Sequence, residues 1–507
     1  MANGGRAMGP DIVFFMMDQL AAKWLEVARA GAAPLPHFER LAGMGTNFRR
    51  CVSSNPLCCP ARATLATGLS TRGHGVLQNG YYLDGSIPTF MRLLQEAGYQ
   101  TGGLGKIHFH PHYSTLHPDY RPYGYDVQHI TEDGRGGEWL DWIRSEHAEQ
   151  AGAVYSTVWA REIPEFGEYG PDGEDLAADM AKVPVLRGAY ELPFPEELSQ
   201  TNWITGHAVD FMGTADVGRP LLAHISYVQP HSPFAPPAGY RKFVDMAKVP
   251  GPVEREWRDD ALGPVCFDGL ANTDNIEFGW EEAREHYFAD LVHLDAQLGK
   301  VLEALDRRGR LADTYILLLS DHGEMLFDHG MVSKGEMHYD ACVRVPLMIA
   351  GPGVERGRER DEFAQLEDIF PTVMEMAGLE LPEPLAMRLK LDHEVLPGRS
   401  LLPLCRGERV EGWRDAAYVE SYNNIDSNTP ANWARTVRTA EWRYTMYPQG
   451  NGEQLFNLVD DPDEQVNLAG EAEFAEVRSE MRDRLLEMVI LQDYPHSPRS
   501  RFAYDVH

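Results

Sequence analysis

The chain has 507 residues, of which 43% are hydrophobic and 10% aromatic, so it can bury a large core and form roughly two to four domains. Its 46 basic and 77 acidic residues give a formal net charge of −31, which argues against nucleic acid and anionic membranes as partners. Six cysteines are too few for a disulfide framework, and the first apolar run, 12–17, is too short for a signal-peptide core or a membrane span. We therefore expect a cytoplasmic protein.

The first predicted elements alternate between strands and helices. DIVFFMMDQ (11–19) is a continuous apolar run that ends in polar residues, the pattern of a strand buried on both faces. PLPHFERLAGMG (34–45) and IPTFMRLLQEAGY (87–99) predict helices, and TGGLGKIHF (101–109) predicts a strand or a loop. Residues 111–200 are rich in Gly, Pro, Asp and Glu and show no clear period, so we expect long, variable surface insertions there.

The next elements continue the alternation. RPLLAHISYV (219–228) predicts a strand, and apolar residues at steps of three and four across 280–308 predict a long amphipathic helix. TYILLLSDHGE (314–324) and VPLMIAG (345–351) predict two more buried strands. Strands that alternate with helices favour an α/β fold, with a large, mostly parallel central sheet flanked by helices.

The pattern changes after residue 405. AAYVES (416–421), ARTVRTAEWRYTMYP (434–448) and EQLFNL (453–458) alternate like half-exposed antiparallel strands, and 471–490 predicts an amphipathic helix. We therefore predict a large α/β domain over 1–405 and a smaller C-terminal α+β subdomain with its tail over 406–507.

Acidic residues directly follow two of the predicted strands. Asp18 and Gln19 come after the first strand, and Asp321 and His322 come after TYILLLS. In open α/β sheets, ligands bind beyond the carboxyl ends of the strands. Taken singly, each aspartate is equally well explained as a helix cap or a turn residue. Together, two carboxylates, an imidazole and an amide oxygen suit one Ca²⁺ or Mn²⁺ better than a structural Zn²⁺.

NPLCCPARATLATG (55–68) places two adjacent cysteines before Pro60. Proline fits the first turn of a helix, so Cys58 would lie at a helix N-terminus, where Arg62 can point back towards the same anion-favouring place. A disulfide, a metal site, a thiolate nucleophile, a modification signal and a buried structural cysteine are the alternatives. The phosphate loop of cysteine phosphatases needs five residues between cysteine and arginine, whereas three intervene here.

Five motifs stand in order along the chain: CCPAR (58–62), GKIH (105–108), QPHSPF (229–234), SDHGE (320–324) with a lysine beyond it, and LFNLVDDPDEQVNLA (455–469). Together they resemble the motifs of the formylglycine-dependent sulfatases of the alkaline phosphatase superfamily. CCPAR is similar to the signature C-x-P-[SA]-R of that family, whose first cysteine a dedicated enzyme oxidises to an aldehyde. The resemblance runs from residue 11 to about 470 and implies an alkaline-phosphatase-like catalytic domain followed by a small C-terminal domain.

The resemblance assigns the nucleophile side of the reaction. Formylglycine made from Cys58 would be hydrated to a geminal diol, of which one hydroxyl attacks sulfur and the other later expels sulfate. Arg62 and Lys106 would hold this diol and compensate its charge, and His108 would assist the second hydroxyl. The resemblance implies as ligands of one divalent cation, Ca²⁺ or Mn²⁺, the residues Asp18, Gln19, Cys58 as formylglycine, Asp321 and His322.

The resemblance also assigns the substrate side. His231 and Lys334 would bind the sulfate oxygens together with Lys106 and help the leaving group depart. Asn79 is similar to an active-site asparagine of phosphonate monoester hydrolases, and the pairs Asp-Gln and Asp-His after the two strands also resemble that branch and the choline-sulfatases. Lys106 and His108 keep the sulfatase pattern, so we predict sulfate monoesters as substrates, with phosphonate or phosphodiester side activity.

Three functions compete on these grounds. The first is a metal-dependent sulfate ester hydrolase, the second a phosphonate monoester or phosphodiester hydrolase on the same fold, and the third a non-catalytic binding protein. The complete set of candidate ligands and bases disfavours the third. The expected partners are a small sulfate ester, a formylglycine-generating enzyme that binds transiently and further copies of the chain in a homo-oligomer.

Overall fold

The structure is a computed structural model that describes residues 9–111, 114–159, 161, 166, 176–254, 260, 262–267, 276, 278–381, 397–422 and 432–492. Within these residues, fifteen strands form three sheets. In chain order the strands are β1 (Asp11–Met17), β2 (Gly45–Phe48), β3 (Cys51–Val52), β4 (Gln100–Gly105), β5 (Val127–Ile130), β6 (Leu221–Tyr227), β7 (Thr314–Ser320), β8 (Arg344–Val345), β9 (Leu347–Ala350), β10 (Arg358–Arg360), β11 (Ala364–Gln365), β12 (Ala416–Ser421), β13 (Ala434–Thr439), β14 (Trp442–Met446) and β15 (Glu453–Asn457).

Eight strands form the central sheet, in the order β10-β2-β9-β7-β1-β6-β4-β5. All neighbours from β7 to β5 run parallel, which confirms the predicted mostly parallel sheet. The run VPLMIAG supplies β9, which is antiparallel to both β7 and β2. Its burial was predictable from its composition, but its direction depends on the chain connections and not on the local pattern. Met17 of β1 pairs with Tyr227 of β6 and Ser320 of β7, so these strands end at the same level.

Helices cover both faces of this sheet. Phe15 of β1 packs in a core with helix Trp280–Arg307, and Phe14 packs in a second core on the opposite face with helix Cys58–Thr67. The predicted helices are present, with ends that differ from the predicted ones by a few residues. The α-helices of the described residues are Ala22–Val27, Pro36–Met44, Cys58–Thr67, Thr71–His74, Phe90–Glu96, Glu138–Glu146, Ala151–Tyr155, Leu176–Ala181, Gln200–Thr214, Trp280–Arg307, Asp340–Val343, Ile369–Met376, Leu402–Cys405 and Ala475–Gln492.

The C-terminal part contains the predicted antiparallel sheet. Strands β12, β13, β14 and β15 pair in chain order, and Met481 and Leu485 of helix Ala475–Gln492 pack against Tyr444 on it. Strands β11, β3 and β8 form a third, small sheet. The predicted fold class is therefore confirmed, while the domain boundary at 405/406 stays a prediction. Within the described ranges, no helix has both the length and the apolar composition needed to cross a membrane.

Part of the segment 111–200 belongs to the core and not to surface insertions. Strand β5 is the edge strand of the central sheet beside β4, and Trp139, Leu140 and Ile143 are buried in helix Glu138–Glu146. Sequence reasoning missed β5 because it is four residues long and three of them are half-exposed, so it contains no apolar run.

Candidate active site

The carboxyl ends of the parallel strands gather most of the predicted site residues at one edge of the sheet. Asp18 follows β1, Lys106 follows β4, and Asp321 and His322 follow β7. Because these strands end at the same level, side chains far apart in the sequence meet. All four residues are fully buried.

Arg62 connects the two aspartates. It lies one turn into helix Cys58–Thr67, and its Nε donates to Asp321 Oδ2 at 2.8 Å while its Nη2 donates to Asp18 Oδ2 at 2.9 Å. Its Nη1 donates to the carbonyl of Lys106 at 2.6 Å and to Ser226 Oγ at 2.9 Å. The guanidinium therefore holds the Oδ2 oxygen of each carboxylate, and Oδ1 of each is directed towards the cluster.

The remaining carboxylate oxygens face His322 and Cys58. Asp18 Oδ1 lies 3.9 Å from His322 Nε2 and 4.0 Å from Cys58 Sγ, and Asp321 Oδ1 lies 3.8 Å from His322 Nε2. His322 Nδ1 donates to the Gly323 carbonyl at 3.0 Å, so Nε2 presents its lone pair to the cluster. The four ligand atoms all lie within 4.8 Å of one another. Two carboxylates and one imidazole fit a divalent cation such as Ca²⁺ or Mn²⁺.

Gln19 contacts this cluster through its backbone. Its N–H donates to Asp321 Oδ1 at 3.1 Å, and its φ of 66° is in the left-handed region. Its side-chain amide has other partners, because Oε1 accepts a hydrogen bond from Lys334 and Nε2 donates to Glu324. Direct ligation of a cation by Gln19 stays a prediction.

The surroundings of Cys58 favour the protonated thiol over the thiolate. Burial, together with the charge of Asp18, raises the pKa of the thiol to about 12, although Cys58 begins a helix. A thiolate nucleophile would need a lowered pKa, so this alternative is disfavoured. All six cysteines are free thiols, which removes the disulfide alternative.

Asn79 lies at the start of the same helix. Its Oδ1 accepts the backbone N–H of Cys59 at 3.0 Å, so it satisfies one of the N–H groups that a helix start leaves open. The Cys59 thiol donates to the His110 carbonyl at 3.4 Å. Asn79 therefore helps to position residue 58, and its contact with substrate stays a prediction.

Lys106 is held by two carboxylates. Its Nζ lies 2.5 Å from Asp18 Oδ2 and contacts Asp133. Burial lowers the pKa of Lys106, but Asp133 and Asp18 outweigh it and keep that pKa well above its usual value. Asp133 Oδ2 also lies 3.9 Å from His231 Nε2. Sequence reasoning missed Asp133, although TEDG (131–134) follows β5 as Asp18 follows β1.

His108 lies close to Cys58, and its catalytic role stays a prediction. Ligand atoms of His108, Cys58 and Asp133 lie within 4.8 Å of one another. The backbone N–H of His108, whose φ is 59°, donates to Glu132 Oε1 at 3.0 Å, and the Tyr120 hydroxyl donates to the same oxygen at 2.8 Å. Burial raises the pKa of Glu132 to about 7.

His231 and Lys334 form a pair on the outer side of the cluster. His231 Nδ1 donates to the Ser232 carbonyl at 2.6 Å, and Nε2 accepts from Lys334. Burial and the adjacent Lys334 lower the pKa of His231 to about 3, which favours a neutral ring whose Nε2 accepts from Lys334. His231 also lines a cavity of about 450 Å³, together with Trp159, Phe234, Phe278 and Val332.

The sulfatase family model matches residues 10–379, which include every site residue named above. The chain belongs to the sulfatase family. It is accordingly a sulfuric ester hydrolase. A second family model, described as N-sulphoglucosamine sulphohydrolase, C-terminal, matches residues 327–490.

Individual relatives cover nearly the whole sulfatase chain. An arylsulfatase of Clostridium perfringens is 27% identical over 503 residues, covering 95% of this chain and 94% of that protein. A choline-sulfatase of Rhizobium meliloti is 30% identical over 475 residues, covering 91% of this chain and 82% of that protein. The solved phosphonate monoester hydrolase of Agrobacterium radiobacter aligns with a TM-score of 0.76 at 25% identity, covering 95% and 96%. The predicted membership in this part of the alkaline phosphatase superfamily is confirmed.

Proposed function

We propose that this sulfatase hydrolyses sulfate monoesters through a formylglycine made from Cys58, with one divalent cation held by Asp18, Asp321 and His322. One observation carries the proposal: residue 58 begins a helix inside the carboxylate–imidazole cluster, 3.1 Å from His322 Nε2. Burial and the charge of Asp18 disfavour the thiolate that a cysteine nucleophile would need, which supports a different functional group at residue 58.

The hydrated aldehyde would supply two hydroxyl groups on one carbon at residue 58. One oxygen attacks sulfur as the S–O bond of the ester breaks and the leaving group takes up a proton. Loss of the proton from the second hydroxyl then breaks the C–O bond to sulfate and restores the aldehyde, which water hydrates again. A bound cation supplies positive charge that lowers the pKa of a hydroxyl group beside it.

The positively charged side chains near residue 58 divide into two groups in this scheme. Arg62 donates hydrogen bonds to both carboxylates, and it is held in place by bonds to the Lys106 carbonyl and Ser226. It therefore orders the carboxylates that would hold the metal cation. Lys106, paired with Asp18 and Asp133, adds positive charge beside residue 58. Both residues act on the nucleophile side.

Lys334 acts on the leaving-group side. Because His231 is neutral and accepts from Lys334, the proton available to the departing oxygen is on Lys334, and His231 orients that ammonium group. The cavity beside His231 has room for the organic part of the ester. His108, close to Cys58, would accept the proton of the second hydroxyl.

A phosphonate monoester or phosphodiester hydrolase is the second candidate. The TM-score of 0.76 with a phosphonate monoester hydrolase and the position of Asn79 at the helix start favour it. Rates on a matched aryl sulfate and aryl phosphonate ester distinguish the two activities, and we expect the sulfate to be hydrolysed faster. A cytoplasmic location, a homo-oligomer and transient contact with a formylglycine-generating enzyme complete the proposal.

The mass of the tryptic peptide 51–62 tests the modification. Conversion of CH₂SH to CHO removes about 18 Da, so protein produced together with a formylglycine-generating enzyme should show this loss at Cys58. Protein produced without that enzyme is the control, and its turnover of an aryl sulfate should fall with the modified fraction. Full turnover by protein that is wholly unmodified at Cys58, or by Cys58→Ala, would contradict the proposal.

A further inference from the structure

A second group of metal-ligand side chains lies at the edge of the central sheet. His129 is in strand β5, Glu138 begins helix Glu138–Glu146, and His207 is in helix Gln200–Thr214. One ligand atom of each lies within 4.8 Å of the other two, and outside the active-site region this is the one such group in the described residues. All three side chains are half-exposed, so an ion in solution can reach them.

The three side chains are already held towards one another. His129 Nδ1 lies 2.5 Å from Glu138 Oε1, and the other oxygen of Glu138 accepts the backbone N–H of Ile130 at 3.2 Å. The His207 ring stacks on the His129 ring with centroids 3.8 Å apart and planes 17° apart. The Trp203 and His207 rings form a T-shaped pair, with centroids 4.4 Å apart and planes 71° apart. Contacts from three elements therefore limit the positions that the ligand atoms can take.

This arrangement exceeds the needs of a surface ion pair. An ion pair requires Glu138 and one histidine, whereas here a second imidazole is stacked on the first, within ligand distance of the same carboxylate. Two imidazoles and a carboxylate are a ligand set that Zn²⁺ takes in proteins, with water in the fourth position. The active-site group of Asp18, Asp321 and His322, here called the hard-cation cluster, differs because most of its ligand atoms are carboxylate oxygens.

We propose that His129, Glu138 and His207 form a second cation site, specific for Zn²⁺ or a similar borderline metal. Bond lengths near 2.0–2.1 Å in a tetrahedral site place ligand atoms about 3.4 Å apart. His129 Nδ1 and Glu138 Oε1, now 2.5 Å apart, must therefore separate by roughly 1 Å, and His207, within 4.8 Å of both, must approach by roughly 1 Å. Half-exposed side chains can do this by rotating about their side-chain bonds, which also turns the stacked ring nitrogens towards one ion.

The position of the site connects it with the catalytic cluster. His129, near the end of β5, and Glu138, at the start of the next helix, lie on either side of the loop 131–137, which carries Glu132 and Asp133 into the active site. Glu132 accepts the backbone N–H of His108, and Asp133 contacts Lys106. A metal ion bound at both ends of this loop would reduce its motion without contacting the substrate.

Zinc titration by calorimetry tests the site in the full-length protein, with excess Ca²⁺ present to occupy the hard-cation cluster. We expect His207→Ala and Glu138→Gln each to weaken the tightest Zn²⁺ binding by at least about 100-fold, the upper range for changes around a metal site. Glutamine keeps an oxygen for the Ile130 N–H, so Glu138→Gln should remain folded by circular dichroism. The matched control is His147→Ala, which removes a half-exposed histidine that packs on Trp142 in the same region.

Any one of three results would overturn the assignment. The first is wild-type Zn²⁺ affinity in both His207→Ala and Glu138→Gln. The second is an equal loss of binding in His147→Ala. Amide hydrogen exchange gives a separate readout, since Zn²⁺ should slow exchange in 131–137 of the wild type and leave it unchanged in His207→Ala. Equal slowing in the two proteins would also refute the site.

Discussion

Asp321→Asn tests whether the carboxylate cluster holds a cation. Asp321 Oδ1 accepts the backbone N–H groups of Gln19 at 3.1 Å and His322 at 2.9 Å, and Oδ2 accepts Arg62 Nε at 2.8 Å. Asparagine has a single acceptor oxygen, which the two backbone donors would keep on the Oδ1 side. Its NH₂ group would then face the N–H of Arg62, donor against donor.

The expected effect has two parts. Loss of a hydrogen bond between charged groups costs about 1.5–3 kcal/mol. In addition, the summed charge of residues 18, 321 and 62 changes from −1 to zero, so these three side chains no longer attract a cation by their net charge. We expect cation affinity to fall at least about 100-fold, equivalent to about 2.7 kcal/mol, with turnover falling by the same factor at limiting cation.

Cation content after dialysis, measured by plasma mass spectrometry, and turnover of an aryl sulfate at rising cation concentration are the two assays. Asp313→Asn is the matched control, because Asp313 precedes the opposite end of the same strand, β7, and its side chain is 66% exposed. The control should behave as the wild type. Wild-type cation content and turnover in Asp321→Asn would refute the assigned cation site, whereas partial recovery at high cation would exclude misfolding as the cause.

Cys58→Ser should remain folded by circular dichroism and lose nearly all turnover, because a serine ester of sulfate has no second hydroxyl to expel it; sustained multiple turnovers would contradict the diol chemistry. Lys334→Ala should steepen the dependence of log(kcat/KM) on leaving-group pKa, whereas Arg62→Ala should lower kcat/KM by a similar factor for all substrates. An unchanged slope in Lys334→Ala would contradict the leaving-group role of Lys334. Glu132 ionises only above its raised pKa of about 7, and its charge strengthens the bond from the His108 N–H. The pH profile of kcat/KM should therefore rise through pH 7 in the wild type, and retention of this rise in Glu132→Gln would assign it to another group.

The strands and helices that carry the catalytic cluster were predictable because their signals are local. A run of apolar residues ending at Asp18 or Asp321 identifies a buried strand with a carboxylate at its carboxyl end, and parallel strands bring such ends together. Pro60 after Cys58 likewise indicates a helix start, and the turn geometry brings Arg62 to the same side.

The environment of these residues was not predictable, because it depends on contacts between distant parts of the chain. The pKa of Cys58 follows from burial and the charge of Asp18, and the neutral state of His231 follows from burial and Lys334. Neither burial nor a neighbour contributed by another strand is encoded in a short stretch of sequence.

The sequence by itself therefore determined the family, the fold class and the residues at the ends of the long apolar strands, since periodicity and motif spacing are properties of neighbouring residues. Only the tertiary structure decided the antiparallel direction of β9, the inclusion of the short strand β5 and the arrival of Asp133 beside Lys106. A four-residue, half-exposed edge strand has almost no hydrophobic signal of its own, and pairing with β4 is what gives it a defined place.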